Sequence, residues 1–402
     1  MTDTERAPMA LHLPLETVSE LPERADVVVV GGGIAGVSVL YHLAARGIDA
    51  LLLEGDRIGG GATSAAVGVL SPPMRQPFHL TVRHRGEGRA RALWALAGRS
   101  VAALGDTLEA MDVAVEAELD REGGFRLAQP HTLEQVERSY QALEKAELRV
   151  EWLDAEAVRA RVGGRGFVGG YRLEGGGALN PAATARLLAR GAVSLGARVA
   201  ESSPVLAVER RDGGLVCRTE AGEVRCSRVV YATHTRSRRF SSLVGDEVVP
   251  VRGQALAAEV VSGTVPAGAY STFWKLNVWR RSGPGRVHLG GWRHEAWDRS
   301  YQKKRPVVDT KLQESLIDWF RAAFPSVELR VTRRWSGIFG WTADYLPLVG
   351  PLPGTPDELV VAGFSGAGLP FAFECGRIVA DIIGDRDPGP DAELFAPERF
   401  VR

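Results

Sequence analysis

Gly31, Gly33 and Gly36 stand in the spacing G-x-G-x-x-G directly after four valines, Val27 to Val30, and a carboxylate, Glu54, follows roughly 20 residues later. Residues of these types in this order can bind a dinucleotide. The first glycine permits a tight turn, the second lets a pyrophosphate approach the backbone, and the third lets a helix pack closely on the preceding strand. Ile34 and Ala35 fill the turn, so the helix begins at the bound anion. Glu54 is placed to accept hydrogen bonds from a ribose.

Such a site needs a strand, a helix and a second strand to hold it, and the chain supplies them in sequence. Val27 to Val30 is continuous rather than alternating, as in a parallel strand buried on both faces. Val37 to Arg46 carries apolar residues at helical spacing, Gly47 ends that helix, and Asp49 to Leu53 reads as the second strand. A lone glycine motif could serve only a strand-to-helix turn. The ordered set of elements around it points to dinucleotide binding.

The chain has 402 residues, enough for two domains, since single cores stop growing at roughly 250 to 300 residues. Its 49 basic and 49 acidic side chains cancel, and nothing electrostatic recommends nucleic acid or an anionic membrane as partner. Cys217, Cys226 and Cys375 have no metal-ligand spacing, and their odd number argues against a disulfide framework. No stretch approaches the roughly 20 apolar residues that span a bilayer. A cytoplasmic protein without a bound metal is expected.

Residues 1–24 are polar and punctuated by proline, and are expected to form an arm that lies over the surface or is partly disordered. A helix is expected over 86–119, a strand over 123–128 and a helix over 132–146. Asn180 can cap a helix with Pro181 at its first position. A strand pair over 204–219 and a buried strand over 228–233 follow. Residues 247–295 become rich in strands, 309–324 reads as helix, and a strand over 359–362 leads through Gly363 to Gly368 into a last helix, about 369–383.

Gly60 to Leu70, GGATSAAVGVL, resembles the loop that carries the flavin side of FAD in the D-amino-acid oxidase superfamily, which includes glycine oxidase and sarcosine oxidase. The resemblance continues in order through Leu179-Asn180-Pro181, Pro250 to Gln254, Gly285 to Gly290, Trp335-Ser336-Gly337 to Gly350, and Ala362 to Gly366. It implies an α/β fold: a Rossmann-like FAD-binding domain of the glutathione-reductase type, assembled from separate segments, and a substrate domain with a mixed, largely antiparallel sheet and helices. The segments expected are an N-terminal arm at 1–24, FAD-binding parts at 25–85, 161–246 and 331–402, and substrate-domain parts at 86–160 and 247–330. To the cofactor residues Gly31, Gly33, Ile34, Ala35, Gly36 and Glu54 the resemblance adds Gly61, Ala62, Thr63, Ser64, Gly68, Val69, Val205, Ala232, Gly337, Gly363, Gly366, Gly368 and Leu369. A glycine-rich loop opening a helix there aims backbone N–H groups and the positive end of the helix dipole at the flavin ring.

The chemistry implied is transfer of hydride from the carbon bearing a primary or secondary amine to flavin N5, hydrolysis of the imine, and reoxidation of the flavin, usually by oxygen. A dehydrogenase with another acceptor and a non-catalytic FAD-binding protein are the alternatives. The chain departs from the family in informative places. Phe339 stands where glycine oxidase has an arginine that clamps the substrate carboxylate; with Trp341 nearby, an aromatic rim is expected. Arg75, Arg252 or Arg280 could substitute. His288 stands at the position of the lysine that promotes oxygen reactivity in sarcosine oxidase; its imidazole could act protonated on oxygen or neutral on substrate or water, and Lys275 is a second candidate. Ala65 replaces the histidine that dimethylglycine dehydrogenase links to its flavin, and no cysteine occupies the linking segment of sarcosine oxidase, so FAD is expected to bind non-covalently. Ala367 replaces the histidine that many relatives carry in the last loop.

Overall fold

A computed structural model of the chain describes residues 7–8, 12–70, 76–272, 277–291 and 297–401. Lys275 and Arg75 lie outside the described residues. The chain opens with β1 (Val27–Val30), α1 (Ile34–Ala44) and β2 (Ala50–Leu53), and both strands are buried at every position, as their unbroken apolar runs require. Next come β3 (Val69–Leu70), α2 (Phe78–Arg85) and α3 (Glu87–Ala110). The helix expected over 86–119 therefore stops at Ala110, and the segment before it is helical too. Gly86, at φ 80°, separates α2 from α3, and Asp112 and Glu118, at φ 55° and 51°, turn the chain out of α3.

The chain continues through β4 (Gly124–Ala128), α4 (Leu133–Lys145), β5 (Val150–Asp154), α5 (Ala155–Val162), β6 (Gly169–Leu173) and β7 (Gly177–Ala178). Asn180 then accepts a hydrogen bond from the Ala183 N–H and, with Pro181 first in the helix, starts α6 (Pro181–Ser194) as its sequence prescribes. After β8 (Arg198–Ala200), the expected strand pair is a three-stranded sheet of β9 (Ala207–Arg211), β10 (Gly214–Arg218) and β11 (Glu223–Cys226). The remaining elements are β12 (Arg228–Tyr231), α7 (Ser242–Glu247), β13 (Val249–Ser262), β14 (Ala269–Thr272), β15 (Asn277–Ser282), β16 (Arg286–Gly291), α8 (Trp297–Ser300), α9 (Thr310–Ala323), β17 (Glu328–Trp341), β18 (Leu348–Leu352), β19 (Thr355–Ala362) and α10 (Gly368–Ile383).

Two sheets carry the architecture. One has six strands in the order β18-β19-β12-β1-β2-β8, parallel except for β18. Helix α1 is covered by α10 and α6, and the approach is close: a Cβ on Gly376 would stand 2.6 Å from the Ser38 carbonyl carbon. The second sheet has eight strands in the order β17-β13-β16-β15-β14-β4-β6-β5, antiparallel except between β14 and β4. Strands β6 and β17 hydrogen-bond into this sheet, although boundaries at 161 and 331 put β6 and most of β17 on the nucleotide side. A strand's own sequence carries no mark of the sheet it will join; only its hydrogen-bonding partners decide it.

The eight-stranded sheet buries one face against α9, where Trp279, Leu289 and Phe320 share a core. Full burial of each such side chain stabilises by about 1.5–3 kcal/mol. Its other face carries Ala255, Ala257 and Trp335 towards Ala65 and Val67. The described part of the N-terminal arm is ordered on the surface: the Val18 N–H donates to the Val199 carbonyl at 2.9 Å, and Leu13 is buried. Among the described residues, no helix is long and apolar enough to cross a membrane.

Candidate cofactor and active site

At the turn after β1, the glycines are required by contact as well as conformation. A Cβ on Gly36 would stand 1.9 Å from the Gly31 carbonyl oxygen, and Gly31, at φ +108°, would place one 2.8 Å from the Ala232 carbonyl oxygen. Ala232 thus closes the turn from the end of β12. Gly33 precedes α1 with no side-chain cap of its own, but the Ile34 N–H donates to Thr63 Oγ1 at 2.9 Å. Ala35 is buried in the first turn of α1. Glu54, at the end of β2, accepts from the Gly32 N–H at 2.6 Å and from the Asp56 N–H at 2.8 Å. Burial raises the pKa of its carboxyl group, and those two N–H groups oppose the rise. Val205 sends its side chain into the core shared with β1 and β2.

Beyond Glu54, the segment from Gly61 to Val69 runs across the open face of the eight-stranded sheet. Thr63 and Ser64 are buried, and Ala62 is half-buried. Trp335 Nε1 donates to the Ala65 carbonyl at 3.1 Å, and a Cβ on Gly337 would stand 2.4 Å from Ala65 Cβ. A Cβ on Gly290 would stand 2.6 Å from Val67 Cγ2. Arg280 Nε donates to the Val67 carbonyl at 2.7 Å, while Arg280 Nη1 pairs with Glu118 at 2.9 Å. Gly68, at φ +95°, leaves no room for a Cβ between the Leu179 carbonyl and Arg280, and Val69 pairs with Ala178. The loop, Leu179-Asn180 and Trp335 to Gly337 therefore meet in one place. Arg280, a candidate substitute clamp in the sequence, is instead committed to the Val67 carbonyl and Glu118; the alternation of β15 puts it on the loop's side of the sheet, opposite Trp279.

The C-terminal loop is stitched to the end of β17. The Ser365 N–H donates to the Gly340 carbonyl at 2.8 Å, the Thr342 N–H donates to Ser365 Oγ at 3.2 Å, and a Cβ on Gly363 would stand 2.8 Å from Thr342 Cγ2. Gly366 has φ +88°, and Phe339 lies against it, 4.0 Å from where a Cβ would be. No side chain caps α10, so the N–H groups of its first turn at Gly368 and Leu369, with the positive end of the dipole, are available to a negatively polarised ligand. The Phe339 and Trp341 rings are 5.9 Å apart, and Tyr345 continues the aromatic rim at 5.8 Å from Trp341.

His288 is on β16, buried on the loop's side of the sheet, with its ring edge-on to Trp335 at 5.7 Å. Burial, with Arg280 nearby, lowers its pKa to about 3, so the imidazole is neutral at ordinary pH. Of the two protonation states, burial favours the neutral one. Arg252 donates to the Arg299 carbonyl at 2.7 Å and serves the chain itself. Among the described residues no cluster of His, Cys, Asp and Glu could hold a metal, and the three cysteines are free and buried.

A glycine cradle that a single Cβ would fill, a carboxylate at the end of β2 and an uncapped helix N-terminus beside an aromatic rim fit FAD, and they define a flavoprotein oxidoreductase. The sequence profile of the family described as FAD dependent oxidoreductase (DAO) matches residues 26–382, and the chain belongs to that family. It is 28% identical over 387 residues to a glycine oxidase of Bacillus licheniformis, across 94% of this chain and 98% of that protein. A gamma-glutamylputrescine oxidoreductase of Escherichia coli (strain K12) is 24% identical, over 96% of this chain and 88% of that protein. The crystal structure of glycine oxidase from Geobacillus kaustophilus superposes with a TM-score of 0.81 at 23% identity, over 95% of this chain and all (100%) of that one.

Proposed function

We propose that the protein oxidises a primary or secondary amine, taking hydride from the carbon that bears the nitrogen, with hydrolysis of the resulting imine and oxygen as the final acceptor. Bound FAD supplies the two-electron acceptor. The observation that carries the reading is the path of Ala65 to Val69 over a sheet face bearing Trp335, His288 and Gly290, with Phe339 and the α10 N-terminus at one end. That face offers positioning rather than a strong acid or base, which suffices when the amine arrives neutral. Arg280 and Trp335 hold the loop, the α10 N–H groups favour negative charge, and His288 offers a neutral hydrogen-bonding group. The names of the relatives, an oxidase of an amino acid and an oxidoreductase of an amine, point the same way.

The test is an anaerobic absorbance titration of the FAD-loaded protein with primary, secondary and N-methyl amines, followed by air. Bleaching by one amine and rapid recovery in air is expected. Bleaching without recovery would transfer the reading to a dehydrogenase, and a flavin that no amine bleaches would argue for binding without turnover.

A further inference from the structure

Three arginines are buried in the described structure, and two have a carboxylate: Arg186 pairs with Glu201 and Arg280 with Glu118, each at 2.9 Å. Arg126, on β4 and only 5% exposed, pairs with no carboxylate among the described residues. Its Nη1 donates to the Thr272 carbonyl at 2.7 Å, and the other polar group on it is the Tyr171 hydroxyl, from its register partner on β6. Both partners are neutral. Burial lowers the pKa of Arg126, yet a guanidinium keeps its proton, so a cation remains where an anion would be strongly attracted.

The strand geometry says which way this cation faces. Phe125 and Leu127 enter the core beneath α9, so Arg126 takes the opposite face with Ala128 and Tyr171. Register carries one row across the sheet from Arg126 through Ser271, Val278, Gly290 and Ala255 to Trp335. Trp335 holds Ala65, Val67 covers Gly290, and β3 lies against β14 and β15. Arg126 is on the next strand beyond that loop and on the same face. It is three strands from β16, roughly 14 Å, and five strands from β17, which carries Phe339.

We propose that Arg126, with the Tyr171 hydroxyl, is a subsite for a carboxylate that the amine substrate carries several bonds away from the carbon being oxidised. This rests on the amine-oxidation reading. The favoured substrate is an amine with a remote acid group, and the clamp absent at Phe339 is replaced by a cation farther across the same face, on β4. A planar guanidinium beside a hydroxyl donor suits a carboxylate.

The test begins with the FAD-loaded wild-type protein and glutarate as probe, by thermal unfolding at constant ionic strength. A saturable rise in the midpoint is expected, absent with chloride, lost in Arg126→Gln and partly kept in Arg126→Lys. Anaerobic flavin reduction by 4-(methylamino)butanoate and by N-methylbutylamine then gives a preference for the acid, expected to fall on the order of 10- to 100-fold in Arg126→Gln. Glutarate stabilisation that survives in Arg126→Gln, or a preference that does not change, overturns the assignment. If no amine reduces the flavin while glutarate stabilisation still depends on Arg126, the amine-oxidation reading fails and the carboxylate subsite stands.

Discussion

Arg280 and Glu118, 162 positions apart in the chain, form an ion pair at 2.9 Å beside the contact by which Arg280 fastens the Gly61–Val69 segment to the eight-stranded sheet. Arg280 is 1% exposed, and its Nε holds the Val67 carbonyl. Glu118 also accepts from Ser282 and Asn180. Burial pushes the Glu118 carboxyl up, but Arg280 and these donors together bring it down to about 2. Removing the acid leaves a buried cation, which costs about 3–5 kcal/mol in comparable pairs. Glu118→Ala is expected to lower the unfolding midpoint and to loosen FAD, measured by thermal melts and by flavin lost on dialysis. Arg280→Lys keeps the charge but loses the fork that serves Val67 and Glu118 together, so it should loosen FAD more than it lowers the midpoint.

Gly36 gives a test in which two effects have opposite signs. In an exposed helix, alanine would be favoured over glycine by about 1 kcal/mol. Here the added Cβ would meet the Gly31 carbonyl oxygen at 1.9 Å, so Gly36→Ala must push α1 away from the turn. Purified Gly36→Ala is expected to carry little or no flavin absorbance. Full FAD content would show that the turn yields without harming the site.

The parts legible in the sequence are those in which local conformation and chemistry agree. The valine run, Gly31, Gly33 and Gly36 announce a strand, a turn and a helix within ten residues, and Asn180-Pro181 announces the start of α6. Arg280 and Glu118 could not be paired from sequence, because each is only one more charged residue in a chain rich in them and Glu118 lies in an irregular turn at φ 51°. The helix expected from residue 86 begins there as α3, but α2 before it leaves no signal, because only Phe78 and Thr81 of its eight residues are buried and no apolar stripe marks it. Arg126 gave no signal either: a single arginine in a short strand reads as a solvated position, and only the sheet shows that no acid among the described residues pairs with it.

Acid stability should report on His234. Its Nε2 accepts from the Gly340 N–H at 2.9 Å, which requires the neutral ring, and burial lowers its pKa to about 4. The folded value lies below the ordinary 6.5, so between them the unfolded chain binds more protons. Stability is therefore complete above pH 6.5 and is lost as pH falls towards 4, by about 3 kcal/mol if the full shift is expressed. His288 and His42, each lowered to about 3, act in the same direction. Thermal midpoints from pH 7.5 to 4 should decline for the wild type and decline less for His234→Gln; superimposable curves would remove His234 from the account.

His288 is expected to matter for the oxygen step more than for the amine step. Its place on the loop's side of β16 and its neutral ring suggest hydrogen bonding to water or oxygen species, without a fixed positive charge. Stopped-flow reoxidation of His288→Ala should be slower than wild type by a larger factor than its reduction by substrate. No inflection between pH 5 and 8 should come from this group, since it is already deprotonated across that range. Equal reoxidation rates would take His288 out of the oxygen step.

Phe339 presents an apolar ring beside the loop that opens α10. It pairs with Val251 across β13 and β17, lies beside Gly366, and tilts against Trp341, so at position 339 itself a substrate's carboxylate meets an apolar ring and not a guanidinium. A guanidinium here would meet the α10 N-terminus, whose own positive end opposes it, and that cost limits what one substitution can gain. A bidentate bond to a carboxylate contributes about 1.5–3 kcal/mol where the geometry is good. Phe339→Arg should therefore lower the KM for glycine or sarcosine by about tenfold or more, with a smaller change in kcat, because the added contact is made equally in the ground and transition states. Carboxylate-free amines should become poorer substrates, since the apolar wall that received them is gone. Unchanged kinetics with both groups would mean that residue 339 does not face the substrate, and the missing clamp would then explain nothing about specificity.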